Sequence, residues 1–554
     1  MLERRSFFLD NPSMKLKAGF GKHETTCFIP GIGMMGWGQT SNTVKEVGTP
    51  LFARAMFMQD EDKKIFILVH LEQAFVTMAI TEEVLKRINI HYPDWNISYA
   101  NLMITAQHTH SAPGGYGHYP FYNFTIPGFQ LKVFSTICNG ILEAVKAAHK
   151  DLGPVIIHWG KHKISEEKDV AFNRSMGAYL NNKDSQKIKK EEWHLGINRE
   201  MQGLIFSDDQ GKEKAHINWF GVHATSVSSL NHRIHHDNKG VAAALYEKSH
   251  PGTTAFFMQE AAGDVSPNYI WDKSIKLMRG KFSDQYESTE NNGEIQFRES
   301  EQIGKEKEVK GNIHCFHQFM DMSFEVAPAA HGVAFFEGTA EGPGIPKALG
   351  TVVKAVARFV KKKNLLRHPE LHQKFYEAHA PKDILLDHRN GSFIGIPLSV
   401  WKKLPPMPEP SVEAFRKCAA NESLNTLPWA PAILPFQIIV IGPILIAAVP
   451  GEITTTSAKR LKDAIQNQLQ DHNIERVIIS SYSNAFMGYI TTPEEYATQS
   501  YEGGHTIFGS GTLRGIIKGF AGIVEEFKDK KVNPLKIKDP FHFPEEELER
   551  RTVR

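Results

Sequence analysis

Short apolar runs that end in a tight turn carrying polar residues recur along this 554-residue chain. They alternate with stretches at helical spacing, and that alternation most limits the fold. Residues 64–69 read as a buried strand, and Thr81 is placed to cap a helix through Glu82, Glu83, Val84 and Leu85. Residues 101–105 read as another strand. Phe134, Ile137, Ile141 and Val145 share one helical face, with Gly153-Pro154 as its stop. Val155-Ile156-Ile157 opens the next strand, and residues 436–449 read as two apolar strands broken at Gly442-Pro443. The pattern is α/β.

Length alone suggests about three or four domains. No repeat, low-complexity tract or linker marks a boundary, so one large mixed α/β domain over residues 15–530 is expected, with 531–554 as a C-terminal tail. Residues 285–311 are polar and read as a helical excursion or a surface loop. Residues 347–363 read as an amphipathic helix ending in Lys361-Lys362-Lys363. A solvated face favoured by the helix dipole is the first reading of that helix, and contact with a membrane surface is the second.

An apolar fraction of 41% supports a buried core. Lys plus Arg, 64, nearly balances Asp plus Glu, 62, which gives no field for nucleic acid. Cys27, Cys138, Cys315 and Cys418 are scattered without a CxxC pair, which argues against a thiolate metal site or a disulfide frame. At the N-terminus, residues 1–10 hold an apolar run too short for a secretory signal. No segment approaches the ~20 apolar residues that span a bilayer. A soluble, cytoplasmic protein is expected, with export by a signal-independent route as the alternative. Any lipid substrate must be met from the water side. Oligomeric state is not legible.

Five turns can carry chemistry. In Gln107-His108-Thr109-His110-Ser111-Ala112-Pro113-Gly114-Gly115, two imidazoles sit two residues apart. In an extended segment both face one side, which suits a metal or an acid/base centre. His223 follows the apolar run ending at Phe220, and is either a ligand or a hydrogen-bonded core histidine. Close behind it, His235-His236-Asp237-Asn238-Lys239-Gly240 is a polar turn. Ser266 lies among small residues without a Gly-x-Ser-x-Gly elbow, so it reads equally as nucleophile or turn cap. Glu452 stands where an apolar strand meets a helix, as a dipole partner or a metal ligand. Tyr489, Tyr496 and Tyr501 cluster near Gly488 and a threonine pair. Two histidines and a carboxylate with an open position form a hydrolytic zinc set, but spacing cannot select it among 26 histidines.

After the His108/His110 turn come Tyr116, Tyr119, Phe121, Tyr122, Phe124 and Phe129, with Pro120, Pro127 and Gly128 among them. They read either as core or as an apolar wall for a lipid chain. The wall reading expects at least two of the rings to be accessible beside the metal site.

Together these segments resemble the neutral/alkaline non-lysosomal ceramidases. The family's THTHSGPGGY run is matched by residues 107–116, WFAVHGTS by 219–226, GDNKG by 237–240 and NVGDVSPN by 261–268. GTTDGPG is matched by 338–344, AVPGEFTT by 448–455, YITTYEEY by 489–496 and RYEG by 500–503. The matches are collinear from about Gly19 to Leu513.

The resemblance implies a zinc amidase that cleaves the N-acyl bond of ceramide to sphingosine and a fatty acid by metal-activated water, with ceramide met at a membrane or micelle surface. It implies one Zn2+ per chain on His108, His223, Glu452 and Tyr489. His110 is then the acid/base and Arg174 lies near the reaction centre. Tyr501 lines the site, and Ser266 matches a serine treated as essential in the family. With zinc present, Ser266 is expected to bind a substrate hydroxyl or water. The alternatives are a deacylase of another N-acyl lipid or N-acyl amine, and a silent lipid-binding relative. The chain departs from the family at Phe486, where a tyrosine is usual, and at His235-His236, where a small polar pair is usual. Neither the family's usual secretion signal, which residues 1–10 do not show, nor the C-terminal immunoglobulin-like domain of longer members is expected.

Overall fold

In a computed structural model, residues 16–126, 128–529 and 539–554 are described. The N-terminal stretch 1–10, Pro127, the expected boundaries at 15 and 530, and 531–538 lie outside the described residues.

Three sheets organise the fold. The first runs Leu102–Ala106, Ile65–Leu71, Phe52–Gln59, Lys17–Glu24, Gly153–Pro154. The second runs Thr254–Met258, Glu213–Trp219, Glu200–Ser207, Ile156–Lys163, Lys307–Val309. The third runs Ile313–Asp321, Ile433–Ile441, Ile444–Ala448, Arg476–Ser480. One apolar core joins all three: Met56, Phe66 and Met103 meet Trp159, Phe206 and Phe256, and these meet Ile439, Ile446 and Ile478.

Helices cover the remaining faces. Met78–His91 and Leu131–Lys150 close the first sheet, and Thr455–Gln468 with Thr512–Asp529 close the third. Such continuous apolar strands need cover on both faces. Each sheet contains one parallel pair: Ile65–Leu71 with Leu102–Ala106, Glu213–Trp219 with Thr254–Met258, and Ile444–Ala448 with Arg476–Ser480.

The expected strands are present; one local reading is corrected and three gain detail. Thr77 rather than Thr81 caps the first helix, its hydroxyl accepting the Ile80 N–H at 3.4 Å. Thr81 lies inside that helix and donates to the Asn484 carbonyl at 3.0 Å. Two threonines stand one turn apart, and only Thr77 has the extended backbone of a cap (ψ 153°). Gly153-Pro154 does more than stop a helix, because it pairs with Lys17 and Ala18 as an edge strand. The polar stretch 285–311 is the helix Gln285–Ser300, capped by Asp284, followed by the edge strand Lys307–Val309. Residues 539–554, expected as a tail, are docked. Thr552–Val553 pairs in parallel with Phe129–Gln130, and Phe543 packs on Tyr119 with ring centroids 5.2 Å apart.

All four cysteines are free. Among the described residues no helix is long and apolar enough to cross a membrane.

Candidate metal centre

The carboxyl ends of the three parallel pairs converge, and each delivers site residues, as expected where side chains gather beyond strand ends. His108 follows the strand ending at Ala106, His223 the strand ending at Trp219, and Glu452 the strand ending at Ala448. Short bonds tie the ends together. Gln259 Nε2 donates to the Gln107 and Val222 carbonyls at 2.8 and 2.6 Å. The Gly263 N–H meets the Ile453 carbonyl at 3.0 Å. Glu452–Ile453 pairs in parallel with Tyr489–Ile490, which brings the tyrosine to the carboxylate.

His108 and His110 share one site, with their Nε2 atoms 3.1 Å apart. They do not meet by strand alternation. The strand stops at Ala106, and His108 adopts φ +76°, a left-handed value costly for a side chain. The His108 N–H bonds to the Gln73 carbonyl at 3.0 Å, and its Nδ1 bonds to the Ala74 carbonyl at 2.6 Å, which hold that conformation.

The same bond fixes the tautomer. Nδ1–H donates to Ala74, so the Nε2 lone pair of His108 faces inward; His223 repeats this, with Nδ1 on the Val265 carbonyl at 3.0 Å. Glu452 Oε2 lies 3.5 Å from His108 Nε2 and 3.2 Å from His223 Nε2. The Tyr489 hydroxyl is 3.4 Å from His223 Nε2. Among the described residues, His108, His110 and His223 are the one group of three or more His, Cys, Asp or Glu whose candidate ligand atoms lie within 4.8 Å of one another. Converging imidazole nitrogens with a carboxylate oxygen are a donor set that fits a divalent metal.

All these groups are buried. Burial opposes the charge on Glu452, but His108 and His223 outweigh it and hold its carboxyl well below the usual range. Burial, reinforced by the other imidazoles, pushes His110 well below the usual histidine value. Burial lowers His223 too, with help from Arg174. Tyr489 is pushed well up by burial and by Glu452.

Arg174 reaches the cluster from the side. Its guanidinium donates to the Tyr489 hydroxyl at 2.9 Å, the Gly263 carbonyl at 3.0 Å and Glu502 Oε1 at 3.0 Å. It also lies 5.7 Å from the ring centre of Tyr501, which packs edge-on to Tyr489. His110, Arg174 and Tyr501 are therefore brought to the centre.

Ser266 is placed differently. It is fully buried and is not among the described residues that line the cavity. Its hydroxyl accepts the Asn268 N–H at 2.9 Å, a turn cap. Ser266 also pairs with Phe172, in the two-residue ladder that seats Arg174. His235 and His236 are buried on the polar turn before Asp237 and are not part of the cavity wall.

The cluster forms the floor of a cavity of about 540 Å³. The rest of its wall is largely apolar, including Phe335, Phe336, Leu385, Phe393, Trp401 and Phe415. The aromatic segment divides between two uses. Phe121, Tyr122 and Phe124 line the cavity, Tyr122 and Phe124 being only half-buried. Tyr116 and Phe129 belong to the first core, and Tyr119 is buried against Phe543.

The structure adds residues that sequence reasoning missed. Tyr482 stacks on His108 at 4.2 Å and donates to Glu452 Oε2 at 3.3 Å. It lies four residues before Phe486, outside the runs singled out in the sequence, and carried no separate signal. Trp37 packs edge-on to His110 at 4.7 Å, and Gly36 permits this because a Cβ there would strike the imidazole at 2.4 Å. His505 lines the cavity as well, and Gly488 makes room for its ring. Glu341 and Glu502 flank Arg174. Both acids lie inside runs already singled out, 338–344 and 500–503, but no sequence signal ties either of them to Arg174.

The fold and the cluster define a mixed α/β protein whose strand ends bury a histidine-rich group able to hold a metal ion beneath an apolar cavity. The sequence matches the family described as neutral/alkaline non-lysosomal ceramidase, N-terminal, over residues 16–398 and 416–518, and the chain belongs to that family. It is similar to the neutral ceramidase of Pseudomonas aeruginosa, 29% identical over 505 residues, covering 89% of this chain and 69% of that protein. Neutral ceramidase B of Dictyostelium discoideum is 29% identical over 566 residues, covering 93% of this chain and 73% of that one. Among solved structures, a ceramidase complexed with C2 superposes with a TM-score of 0.78 at 28% identity, covering 96% of this chain and 78% of the other. The crystal structure of the Pseudomonas aeruginosa neutral ceramidase gives 0.75 at 26% identity, with the same coverage.

Proposed function

We propose that this protein is a zinc-dependent amidase that hydrolyses the N-acyl bond of ceramide. The observation that carries the proposal is the buried convergence of His108, His223, Glu452 and Tyr489 on the floor of an otherwise apolar cavity. Family membership and the relatives' names support the substrate class. His108 and His223 through Nε2, Glu452 through a carboxylate oxygen and Tyr489 through its hydroxyl would hold the ion. When bound, zinc would supply a Lewis acid that polarises the amide carbonyl and acidifies water.

The chain's own residues do the rest. The apolar wall takes the hydrocarbon chains and excludes water from them. Arg174 stays protonated beside Glu502 and offers a fixed positive charge to the oxygen that becomes negative. Hydrolysis adds the hydroxyl of water to the carbonyl carbon and its proton to the leaving nitrogen. His110, neutral through burial, carries that proton at Nε2. Glu502 and Glu341 hold Arg174, and Ser266 supports the backbone on which Arg174 sits.

The test is metal analysis of the purified protein together with turnover of a panel of N-acyl lipids. About one zinc per chain and release of fatty acid from ceramide are expected, with loss on chelation and recovery on zinc addition. Full activity in protein free of transition metal would refute the reading. Turnover confined to other N-acyl lipids would move the substrate and leave the chemistry.

A further inference from the structure

The helix Lys347–Arg367 carries an outward stripe that nothing among the described residues covers. Leu349, Val352, Val356, Phe359 and Leu366 fall at helical spacing on one face. Their exposures are 39, 59, 41, 68 and 74%. Single exposed apolar residues are ordinary, but five in register are not. The helix packs inward by a different face, through Val353, Ala357 and Val360, the last against Gly395.

Charge accompanies the stripe. The helix contains Lys347, Lys354, Arg358, Lys361, Lys362, Lys363 and Arg367 and no acidic residue. Lys354 pairs with Glu337 and Arg358 with Asp383. Lys362, Lys363 and Arg367 are exposed and have no ion-pair partner among the described residues. An apolar stripe beside unpaired cations complements the headgroup boundary of an anionic bilayer. A second copy of this chain would set these cations against themselves.

Position makes the stripe useful. Leu349 and Val353, near the start of the helix, line the cavity above the metal cluster. The apolar surface is therefore continuous from the exposed stripe into the cavity. We propose that this helix is the face by which the protein seats on an anionic lipid bilayer, so that the cavity opens against the leaflet. The purpose assigned to this seating rests on the reading that the cavity takes an N-acyl lipid; the seating itself is measured without turnover.

Three proteins decide it: wild type, the triple variant Val352→Ser/Phe359→Ser/Leu366→Ser, and the double variant Lys362→Glu/Lys363→Glu. None of these residues lies in the metal cluster or the cavity wall. Each protein is sedimented with substrate-free vesicles of phosphatidylcholine, with and without phosphatidylserine. Each is also assayed on a short-chain N-acyl substrate in free solution. Wild type should bind the phosphatidylserine vesicles, and less as salt rises. Each variant should bind on the order of tenfold more weakly, with soluble turnover unchanged. Failure of wild type to bind, or variants that bind as wild type does, would overturn the inference. So would a wild-type dimer that the serine variant converts to monomer with vesicle binding intact. Docking without hydrolysis of any N-acyl lipid would refute the proposed function and leave the docking face standing.

Discussion

At the scale of single residues, the open question is how the roles divide within a cluster so tight that His110 lies as near His108 as a fellow ligand would. The tautomers separate them. His108 and His223 each commit Nδ1 to a backbone carbonyl and turn Nε2 inward, whereas His110 Nδ1 finds no hydrogen-bond partner among the described residues. His108→Ala and His223→Ala should therefore lose zinc, while His110→Ala should keep it and lose turnover by about 10²–10⁴. Mass-spectrometric metal content beside kcat decides, and a zinc-free His110→Ala protein would make His110 a ligand. Ser266 gives the second contrast. Its hydroxyl caps Asn268, and Asn268 Nδ2 in turn donates to Glu341 at 3.0 Å, across from Arg174. Ser266→Ala should fold with a loss of about 1 kcal/mol from the missing bond and a reduced kcat transmitted through Arg174. Intact-mass spectra of the wild type during turnover should show no acyl adduct. An adduct on Ser266 would make it a nucleophile.

At the scale of elements, the segment after the histidine turn serves two masters. Tyr116 and Phe129 are core, while Phe124 faces the cavity and leans on Phe415 at 5.5 Å. Each methylene buried against such a ring is worth about 0.8 kcal/mol. Phe124→Ser should thus lower kcat/KM for long-chain substrates about tenfold more than for short-chain ones, with zinc content unchanged. Equal losses would return Phe124 to a purely structural role. The helix Met78–His91 offers a pH test remote from the histidine cluster. Burial pushes the Glu82 carboxyl up to about 7, and its Oε1 has no hydrogen-bond partner among the described residues. A raised folded value means that the unfolded chain loses this proton first, so stability falls as pH rises from about 4.5 to about 7. Glu82→Gln should therefore melt higher than wild type at pH 8, by roughly 1–3 kcal/mol, and equal it near pH 4. Thermal unfolding at the two pH values checks the sign, and no pH dependence of the difference would refute it.

At the scale of the whole molecule, the sequence announced the strands and the polar turns that end them, because apolar runs and turn chemistry are local. It did not announce that three parallel pairs, one per sheet, would point their carboxyl ends at one place, since contact between turns as far apart as His108, His223 and Glu452 leaves no local trace. For the same reason Tyr482, Trp37 and His505 were invisible, while His108 and Glu452 stood out in their turns. Ser266 stood out too, yet its conspicuous setting reflects a turn cap. The docked C-terminal segment is another such long-range contact. Its strand Thr552–Val553 extends Phe129–Gln130, its Arg551 donates to the His118 carbonyl at 2.9 Å, and Gly128 is bare because a Cβ would meet the Arg551 carbonyl at 2.5 Å. Gln130 in turn bonds to the Gly115 carbonyl at 2.7 Å, in the turn behind His110. Deleting residues 539–554 should therefore loosen residues 115–130 rather than the sheets. Hydrogen exchange should rise in that segment and stay unchanged in the strands Leu102–Ala106 and Ile444–Ala448, with KM for long-chain substrates raised more than kcat is lowered. Unaltered exchange over 115–130 would show that this segment holds its own shape and that the C-terminal dock contributes nothing to the cavity wall.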